Sequence, residues 1–588
     1  MVNFLQFLFI LIPIGNAQWY DWSIKFSANG KSVKCSHDPP LSVYSCFVEH
    51  NPKEHINYGV NDKQLQWIGT TSATVSAMVK VEKGVGKLYF LELSEVDTVG
   101  DVYLNGVKIL SVDNMFAVQR VDVTNDVKDG ENDLNIVLAA PVTEALNRAK
   151  LWAMTQPPSC PAAAQTNGQC NVNMLRKAGY SFSWDWGPSM PDSGIYAMPK
   201  LYPVAATKLV ESRVQLFSKY KADSTVVRVD VLIISPSKPD SNRLGVTFNP
   251  LDERNSIITA SAVSVVNALP INNSDNFKSW ILQVDFRLTS GADVQWWWPN
   301  GHGKPVLYNA TILWEGQNDD APQFQYKLFG FRTVQLIQDA MEDGGASFYF
   351  KINDKPIFMS GSNWIPSSSA VSDFSGYYVD NLKSAQRAGI KMLRVWGGGI
   401  YERDEFYNTA DELGIMIWQD FMFACSTYEN GTNFLSSVED EVHTQLWRIG
   451  THPAIVVFAG NNENEAALAT NWWSISEANK PYYYDQYRML YINTIRSGVL
   501  SANMSRPFLS SSPTNGIDTE RENWIATNPY DVKFGDVHYY DYHSDCLDWR
   551  TFPKTRFASE FGYQDMALKN LNMTHIFAII SYPRNVGY

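Results

Sequence analysis

The stretch that most constrains this chain is Ala454-Ile-Val-Val-Phe-Ala-Gly-Asn-Asn-Glu463. An uncharged, mostly apolar run leads straight into Gly460, two amides and a carboxylate. A short apolar run bounded by a turn signal reads as a strand buried on both faces, as in a parallel sheet. Such a strand ends in polar groups where something polar is to be met. At the C-terminal mouth of a parallel barrel that something is usually substrate. Arg556-Phe-Ala-Ser-Glu560, followed by Phe561 and Gly562, repeats the design. Two glutamates, each closing its own strand, are what glycoside hydrolysis requires. The sequence holds no phosphate-binding glycine loop and no HExxH zinc motif.

The pattern around this stretch is strands alternating with helices, the signature of βα units, from about residue 336 to the end at 588. The candidate strands are Ile357–Gly361, Lys391–Val395, Ile415–Gln419, the run ending at Glu463, Pro507–Ser511, Val537–Tyr540 and Phe557–Glu560. Seven can be read where a (β/α)8 TIM barrel needs eight. The one strand-like run left is Ile576–Tyr582, a makeshift eighth strand. Upstream, residues 18–205 read as an all-β jelly-roll sandwich, with an Asn105-Gly106 hairpin turn. Residues 206–335 alternate in the manner of an immunoglobulin-like β-sandwich. Residues 1–17 read as a signal peptide, with an apolar run from Phe4 to Ile14 and small residues at Gly15-Asn16-Ala17. No later run is long enough to span a bilayer.

Retaining hydrolysis needs one ionised carboxylate to attack the anomeric carbon. It also needs one protonated carboxyl to feed the leaving oxygen, with the pair roughly 5–5.5 Å apart. Strands four and seven of one barrel can aim Glu463 and Glu560 across its mouth in this way. Arg394 ends strand two. It is either the group that keeps a neighbouring carboxylate ionised or a structural ion-pair partner at the rim. Glu465 is the rival acid, but its place beyond the strand end suits an ordinary helix-start residue.

The net charge of -13 argues against a nucleic-acid partner. Six cysteines fit an oxidising route. Cys160 and Cys170 lie in one loop of Pro, Ala, Gln and Gly and are expected to pair; Cys35 and Cys46 are a second candidate pair. Cys425 and Cys546 are left as either a third pair or two free thiols. Acceptor sequons stand at Asn272, Asn309, Asn430, Asn503 and Asn572. No metal-ligand spacing and no cofactor motif is present.

Taken together, Gly460-Asn-Asn-Glu463, Ala558-Ser-Glu-Phe-Gly562, Arg394-Val-Trp-Gly-Gly-Gly399, Gly361-Ser-Asn-Trp-Ile-Pro366 and Gly535-Asp-Val-His538 resemble glycoside hydrolase family 2, and within it the lysosomal-type β-mannosidases. Ser183-Trp-Asp-Trp-Gly-Pro188, Trp297-Trp-Pro-Asn-Gly301 and Asn114-Met-Phe116 extend the resemblance over roughly residues 65 to 564. The resemblance implies that Glu463 is the acid/base, Glu560 the nucleophile, and Asn462 a partner of the hydroxyl beside the anomeric carbon. Trp184 and Asp185 match the loop that reaches from the first domain into the sugar pocket. Alone, a Trp-Asp-Trp segment would read as a packed loop. Trp396, Trp472, His538 and Tyr540 match pocket residues. The implied substrate is a β-mannoside oligosaccharide, hydrolysed without metal or cofactor in a lysosome or outside the cell. Two readings compete with it: another family 2 exo-β-glycosidase, such as a β-glucosaminidase, and a secreted glycan-binding protein without turnover. The family normally continues beyond the nucleophile with an eighth strand and further sandwich domains. This chain departs from that pattern after Gln564, so the barrel is expected to be incomplete at its C-terminal end.

Overall fold

The computed structural model describes residues 18–562, apart from 29–30, 57, 85–86, 159, 161–167, 186, 222–223, 252–255, 274–277, 317–320, 373–376, 503–504, 542 and 546–547, together with the strand 577–581. The signal-peptide reading of residues 1–17 lies outside the described residues.

Three main hydrophobic cores hold most of the buried apolar side chains among the described residues. The first sits under a six-stranded antiparallel sheet in the order Lys31–Cys35, Trp19–Ala28, Ala73–Val81, Gly130–Leu138, Gly100–Leu104, Val107–Val112, with two three-stranded sheets against it. Its central strand alternates as the sequence pattern requires, with Ala73, Val75, Ala77, Val79 and Val81 all buried.

The second core belongs to one seven-stranded antiparallel sheet, not to the two-sheet sandwich expected. The strand Ile258–Asn273 causes the difference. It pairs with Lys278–Leu288 along its length through three register shifts, while its first residues, Ile258 and Thr259, pair with Phe248 and Thr247. Bulges bend a strand, so this one carries the sheet round a corner without interrupting it. The edge strands Lys208–Leu216 and Gln323–Phe329 come together, where the Leu209 N–H donates to Gln323 Oε1 at 2.9 Å. The result is a near-closed antiparallel barrel.

The third core carries the strand-end glutamates. Its sheet has eight strands: β1 Ser360–Trp364, β2 Met392–Val395, β3 Met416–Asp420, β4 Ile455–Ala459, β5 Phe508–Leu509, β6 Val537–Tyr539, β7 Phe557–Phe561 and β8 Phe577–Ser581. The order is β5-β4-β3-β2-β1-β8-β7-β6. β1 to β5 are parallel, β6 and β7 are parallel to each other, and β8 runs antiparallel to both β7 and β1. Of the run expected to serve as an eighth strand, the described residues Phe577–Ser581 do enter the sheet, reversed. Ile580 pairs with Ser360 on one side and Ala558 on the other, which covers two edges that would otherwise present unpaired N–H and C=O groups. β5 and β6 share no ladder; a bridge from Thr514 to Asp536 spans that gap. Every residue of β3 and β4 is buried, as an apolar run in a parallel strand should be. β1 starts three residues later than the sequence reading placed it. Lys355–Ile357 is used instead in a hairpin with Tyr349–Ile352, turned by Asn353 and Asp354 at φ 49° and 62°.

Helices pack outside the strands. α1 is Tyr377–Arg387, α2 Asp404–Leu413, α3 Thr432–Ile449 and α4 Asn464–Ala469. Val438, Val442, Leu446 and Ile449 of α3 are buried along one face, as their spacing requires.

The upstream regions are pinned to this third unit by buried polar contacts. Arg176 donates to both oxygens of Glu441 on α3, at 2.9 and 2.7 Å, and to Met422 O. Asn114 Nδ2 reaches the same carboxylate at 3.1 Å. Arg332 donates to Pro453 O and Ile455 O just before and within β4.

Cys35 pairs with Cys46 and Cys160 with Cys170. Cys425 is a free thiol, and Cys546 lies outside the described residues. The disulfides fit an extracellular or lumenal protein. Among the described residues no helix is long and apolar enough to cross a membrane. Of the sequon asparagines, Asn309 and Asn430 are half-buried, Asn272 lies in the strand Ile258–Asn273, and Asn503 and Asn572 are outside the described residues.

Candidate active site

The site is built at the C-terminal ends of β1 to β4, β6 and β7. After β4 the chain turns sharply, and Glu463 takes a left-handed conformation at φ 65° while its N–H donates to Ser512 O at 2.8 Å. For a residue with a Cβ this backbone is unfavourable by about 1–2 kcal/mol, and it is held here by the surrounding hydrogen bonds. Glu560 is the fourth residue of β7, and His538 of β6 is its direct cross-strand partner. A side chain on a strand shares its face with its lateral neighbour, so β6 and β7 bring imidazole and carboxylate together by register alone.

One carboxylate oxygen from each glutamate and a ring nitrogen of His538 all lie within 4.8 Å of one another. His538 Nδ1 stands 2.7 Å from Glu463 Oε1 and 3.4 Å from Glu560 Oε2. Glu463 Oε2 accepts from the Cys425 thiol at 3.1 Å and from Asn462 Nδ2 at 3.4 Å. Glu560 Oε2 accepts from Tyr540 OH at 2.8 Å, and its Oε1 accepts from Arg394 Nη1. The glutamate side chains retain only 15% and 10% exposure, so these contacts act in a poorly solvated place.

Arg394 is the hub behind them. It is fully buried and donates to Asp420 Oδ1 and Oδ2, Asn363 Oδ1, Asn462 Oδ1 and Glu560 Oε1. Burial alone would weaken its hold on a proton, but the charges of Asp420 and Glu560 raise it instead. Of the two roles the sequence leaves open for it, its contacts fit both: it sits against the Glu560 carboxylate and it is ion-paired with Asp420. Its position beneath the floor, with its donors turned to protein acceptors, makes it a support for Glu560 and Asn462.

The ionisation pattern follows from these contacts. Burial pushes the Glu463 carboxyl up, yet the hydrogen bond and charge of His538, then Cys425 and Arg394, outweigh it and hold the group below its ordinary value. Burial pushes the His538 imidazole down, and the charges of Glu560 and Glu463 more than reverse that. Asp185 stands close enough to feel both glutamates. Burial and those two charges push it up to about 6.

The first region contributes Trp184 and Asp185 through a tight turn in which Trp184 and Gly187 exchange backbone hydrogen bonds. The Trp184 ring meets Trp396 edge-on at 4.6 Å between centroids. The neighbouring Tyr180 N–H donates to Gly398 O at 2.8 Å, which docks this loop on the Gly-Gly-Gly turn after β2. A Cβ at Gly398 would lie 1.9 Å from the Trp396 ring, so that tryptophan needs glycine there. Trp472 is not brought into the set. It stands 46% exposed in the turn after α4, where its backbone N–H donates to Ala467 O at 3.0 Å.

Glu465, the rival acid, is fully buried elsewhere, accepting from Thr519 Oγ1 at 2.8 Å and the Ala526 N–H at 3.1 Å, and burial raises it to about 8. Sequence reasoning missed Cys425, Asp420, Asn363, Asp536, Ser512 and Tyr530, whose hydroxyl burial, then the charges of Glu463, Cys425 and Glu560, raise above its ordinary value. Asp420 and Asn363 end or nearly end strands, so the rule that found the glutamates could have found them. Cys425 and Tyr530 sit in loops and carried no such signal. The Glu463, His538 and Glu560 trio has the spacing of a cation site, but Arg394 already places a permanent positive charge on Glu560.

A family profile described as Glycosyl hydrolase 2 galactose-binding domain-like matches residues 22–197. The β-mannosidase of Rattus norvegicus is 38% identical over 549 residues, which cover 92% of this chain and 60% of that protein. The chain is similar to β-mannosidases over most of its own length. A probable β-mannosidase of Caenorhabditis elegans is 33% identical over 579 residues, covering 94% of this chain and again 60% of the relative. The crystal structure of the β-D-mannosidase from Dictyoglomus thermophilum superposes with a TM-score of 0.72 at 28% identity, over 89% of this chain and 60% of that one. The chain thus spans about 60% of the length of the β-mannosidases it matches.

Proposed function

We propose that this chain carries the site of an exo-acting, retaining β-mannosidase. Its three units would be a jelly-roll sandwich (18–205), the antiparallel barrel in place of an immunoglobulin-like sandwich (206–335), and a (β/α)8-type catalytic barrel (336–588) with a reversed eighth strand. The observation that carries the reading is the pair of strand-end glutamates with carboxylate oxygens within 4.8 Å, each held differently. That spacing suits direct attack by one carboxylate and leaves too little room for the water of an inverting enzyme. Glu560, held by Arg394 and Tyr540, attacks the anomeric carbon. Glu463 passes a proton to the leaving oxygen, then takes one from the water that hydrolyses the glycosyl-enzyme. Asn462 has its oxygen tied to Arg394, which leaves its Nδ2 as a donor beside Glu463 for a sugar hydroxyl. Trp184, Asp185 and Trp396 form the wall. The β-mannoside's axial hydroxyl points where a glucoside's does not, and a polar group placed there rewards the right epimer. The disulfides and sequons suit delivery to a lysosome or secretion.

Residues 18–588 assayed on aryl β-mannoside, β-glucosaminide and β-galactoside are expected to favour the mannoside. Preference for either of the others would overturn the substrate. The same assay decides the competing reading, a protein that binds mannose oligosaccharides without turning them over. Saturable binding with no turnover on any of the three substrates would establish it.

Glu463→Ala is expected to slow substrates with poor leaving groups by about 100-fold or more and activated aryl mannosides far less, since only the former need a proton. Equal slowing of both would remove Glu463 as the acid.

A further inference from the structure

Both ring nitrogens of His538 face acceptors. Nδ1 meets Glu463 Oε1 at 2.7 Å and Glu560 Oε2 at 3.4 Å. Nε2 lies 3.2 Å from Ser512 Oγ, whose own proton goes to Asp536 Oδ2 at 2.7 Å. Ser512 is therefore left to accept from Nε2. An imidazolium satisfies this arrangement with two N–H donors; a neutral ring satisfies only one side of it. The ring is 2% exposed at its side chain, so its proton is exchanged with protein or substrate before solvent. The charged groups that act on it are Glu463 after β4, Glu560 on β7, Asp536 before β6 and Arg394 on β2, and the two glutamates in turn face Cys425 after β3 and Tyr540, Tyr530 and Asp185 from loops.

We propose that His538 couples the two glutamates: the proton delivered to the leaving oxygen is shared between His538 Nδ1 and Glu463 Oε1, and the charge on Glu560 decides where it rests. This deepens the reading above and rests on it. While Glu560 is ionised, the proton stays on the imidazole and Glu463 is a carboxylate. As Glu560 bonds to the anomeric carbon, its charge is consumed, and the bond from that carbon to the leaving oxygen breaks with its electron pair on oxygen. The imidazolium has then lost one of its two anionic neighbours. Its proton passes to Glu463 Oε1 and on to the leaving oxygen. Net charge is conserved, with the ester, the neutral imidazole, the Glu463 carboxylate and the protonated product balancing two carboxylates and one imidazolium at the start. In the second half, water attacks the anomeric carbon and the ester bond breaks with its pair returning to Glu560. The water proton travels through Glu463 back to His538. The carboxyl is thus charged with a proton when it must act as acid and emptied when it must act as base.

The coupling is testable without turnover. In chain labelled at its imidazole nitrogens, His538 is assigned by the signal lost in His538→Gln. Its titration midpoint is expected to fall by about one pH unit or more in Glu560→Gln, a tenfold loss of proton affinity, because the amide is uncharged as the ester is. The adduct formed by a 2-fluoro mannoside should give the same fall. Glu560→Ser takes the place of Glu560→Gln should the latter not fold. A midpoint that does not move when Glu560 loses its charge would overturn the coupling, whether or not the chain hydrolyses mannosides. A chain without turnover whose midpoint does move would sink the enzymatic reading and leave the coupling standing.

Discussion

Glu560→Gln is expected to lower kcat on aryl β-mannosides by about 10⁴-fold or more while substrate binding changes little, the pattern of a lost nucleophile. The variant should fold. Gln is the same size, its amide oxygen can keep the Arg394 contact, and Tyr540 can turn its hydroxyl to accept where it now donates. What is lost is the charge that attacks carbon and the ester it would form. Mass spectrometry of protein treated with a 2-fluoro mannoside should find one sugar on the peptide that contains Glu560, and none in the variant. A label on Glu463, or one that survives the substitution, would exchange the roles of the two glutamates.

The two glutamates were legible because buried parallel strands leave an unmistakable trace: a short apolar run that stops at a polar residue. Asp420 closes β3 in the same way and was readable in principle, but a carboxylate beside a run that also contains Trp418 and Gln419 gives no reason to stop there. His538 could be placed on its strand, but not opposite Glu560, because register between β6 and β7 is a tertiary fact. The single sheet built around Ile258–Asn273 was not legible for a related reason. Alternation tells which face of a strand is buried and says nothing about which strand lies beside it. The direction of β8 was equally hidden, since an apolar run reads the same either way. Trp472 had only the resemblance to recommend it, and the structure leaves it half in solvent, apart from the ring contacts that join Trp184 to Trp396. Cys425 reads in the sequence as a candidate for disulfide pairing or a free thiol, and nothing in its spacing suggests the hydrogen bond to Glu463 that it makes.

Arg394→Met should cost about 3–5 kcal/mol of stability at neutral pH, the usual loss when one partner of a buried ion pair is removed and the other stays. The methionine fills much of the volume, so the loss is electrostatic rather than a cavity. Asp420 bears it most directly. It is fully buried, and burial, opposed by the Arg394 charge and hydrogen bonds, already pushes it up to about 6. Without the guanidinium it rises further, because burial is then opposed by little more than the Trp418 indole N–H at 2.9 Å and the Gly397 N–H at 3.0 Å. The sign follows from linkage. A carboxyl raised in the folded state is no burden at a pH low enough for it to be protonated both folded and unfolded. It becomes a burden as pH climbs from its unfolded value towards its folded one. Below about 4 the variant's Asp420 is protonated and its deficit shrinks; from there to neutral the deficit grows as folding must either bury the charge or take up a proton. Denaturant unfolding of both proteins at pH 7 and near pH 4 measures this, with the difference in stability expected to fall by more than half at the lower pH. An equal deficit at both would mean that Arg394 supports the fold by packing alone. Turnover should fall with it at every pH, since the same guanidinium fixes Glu560 and the Asn462 amide, and a shift of about 1 Å in a reacting group costs on the order of a hundredfold in rate.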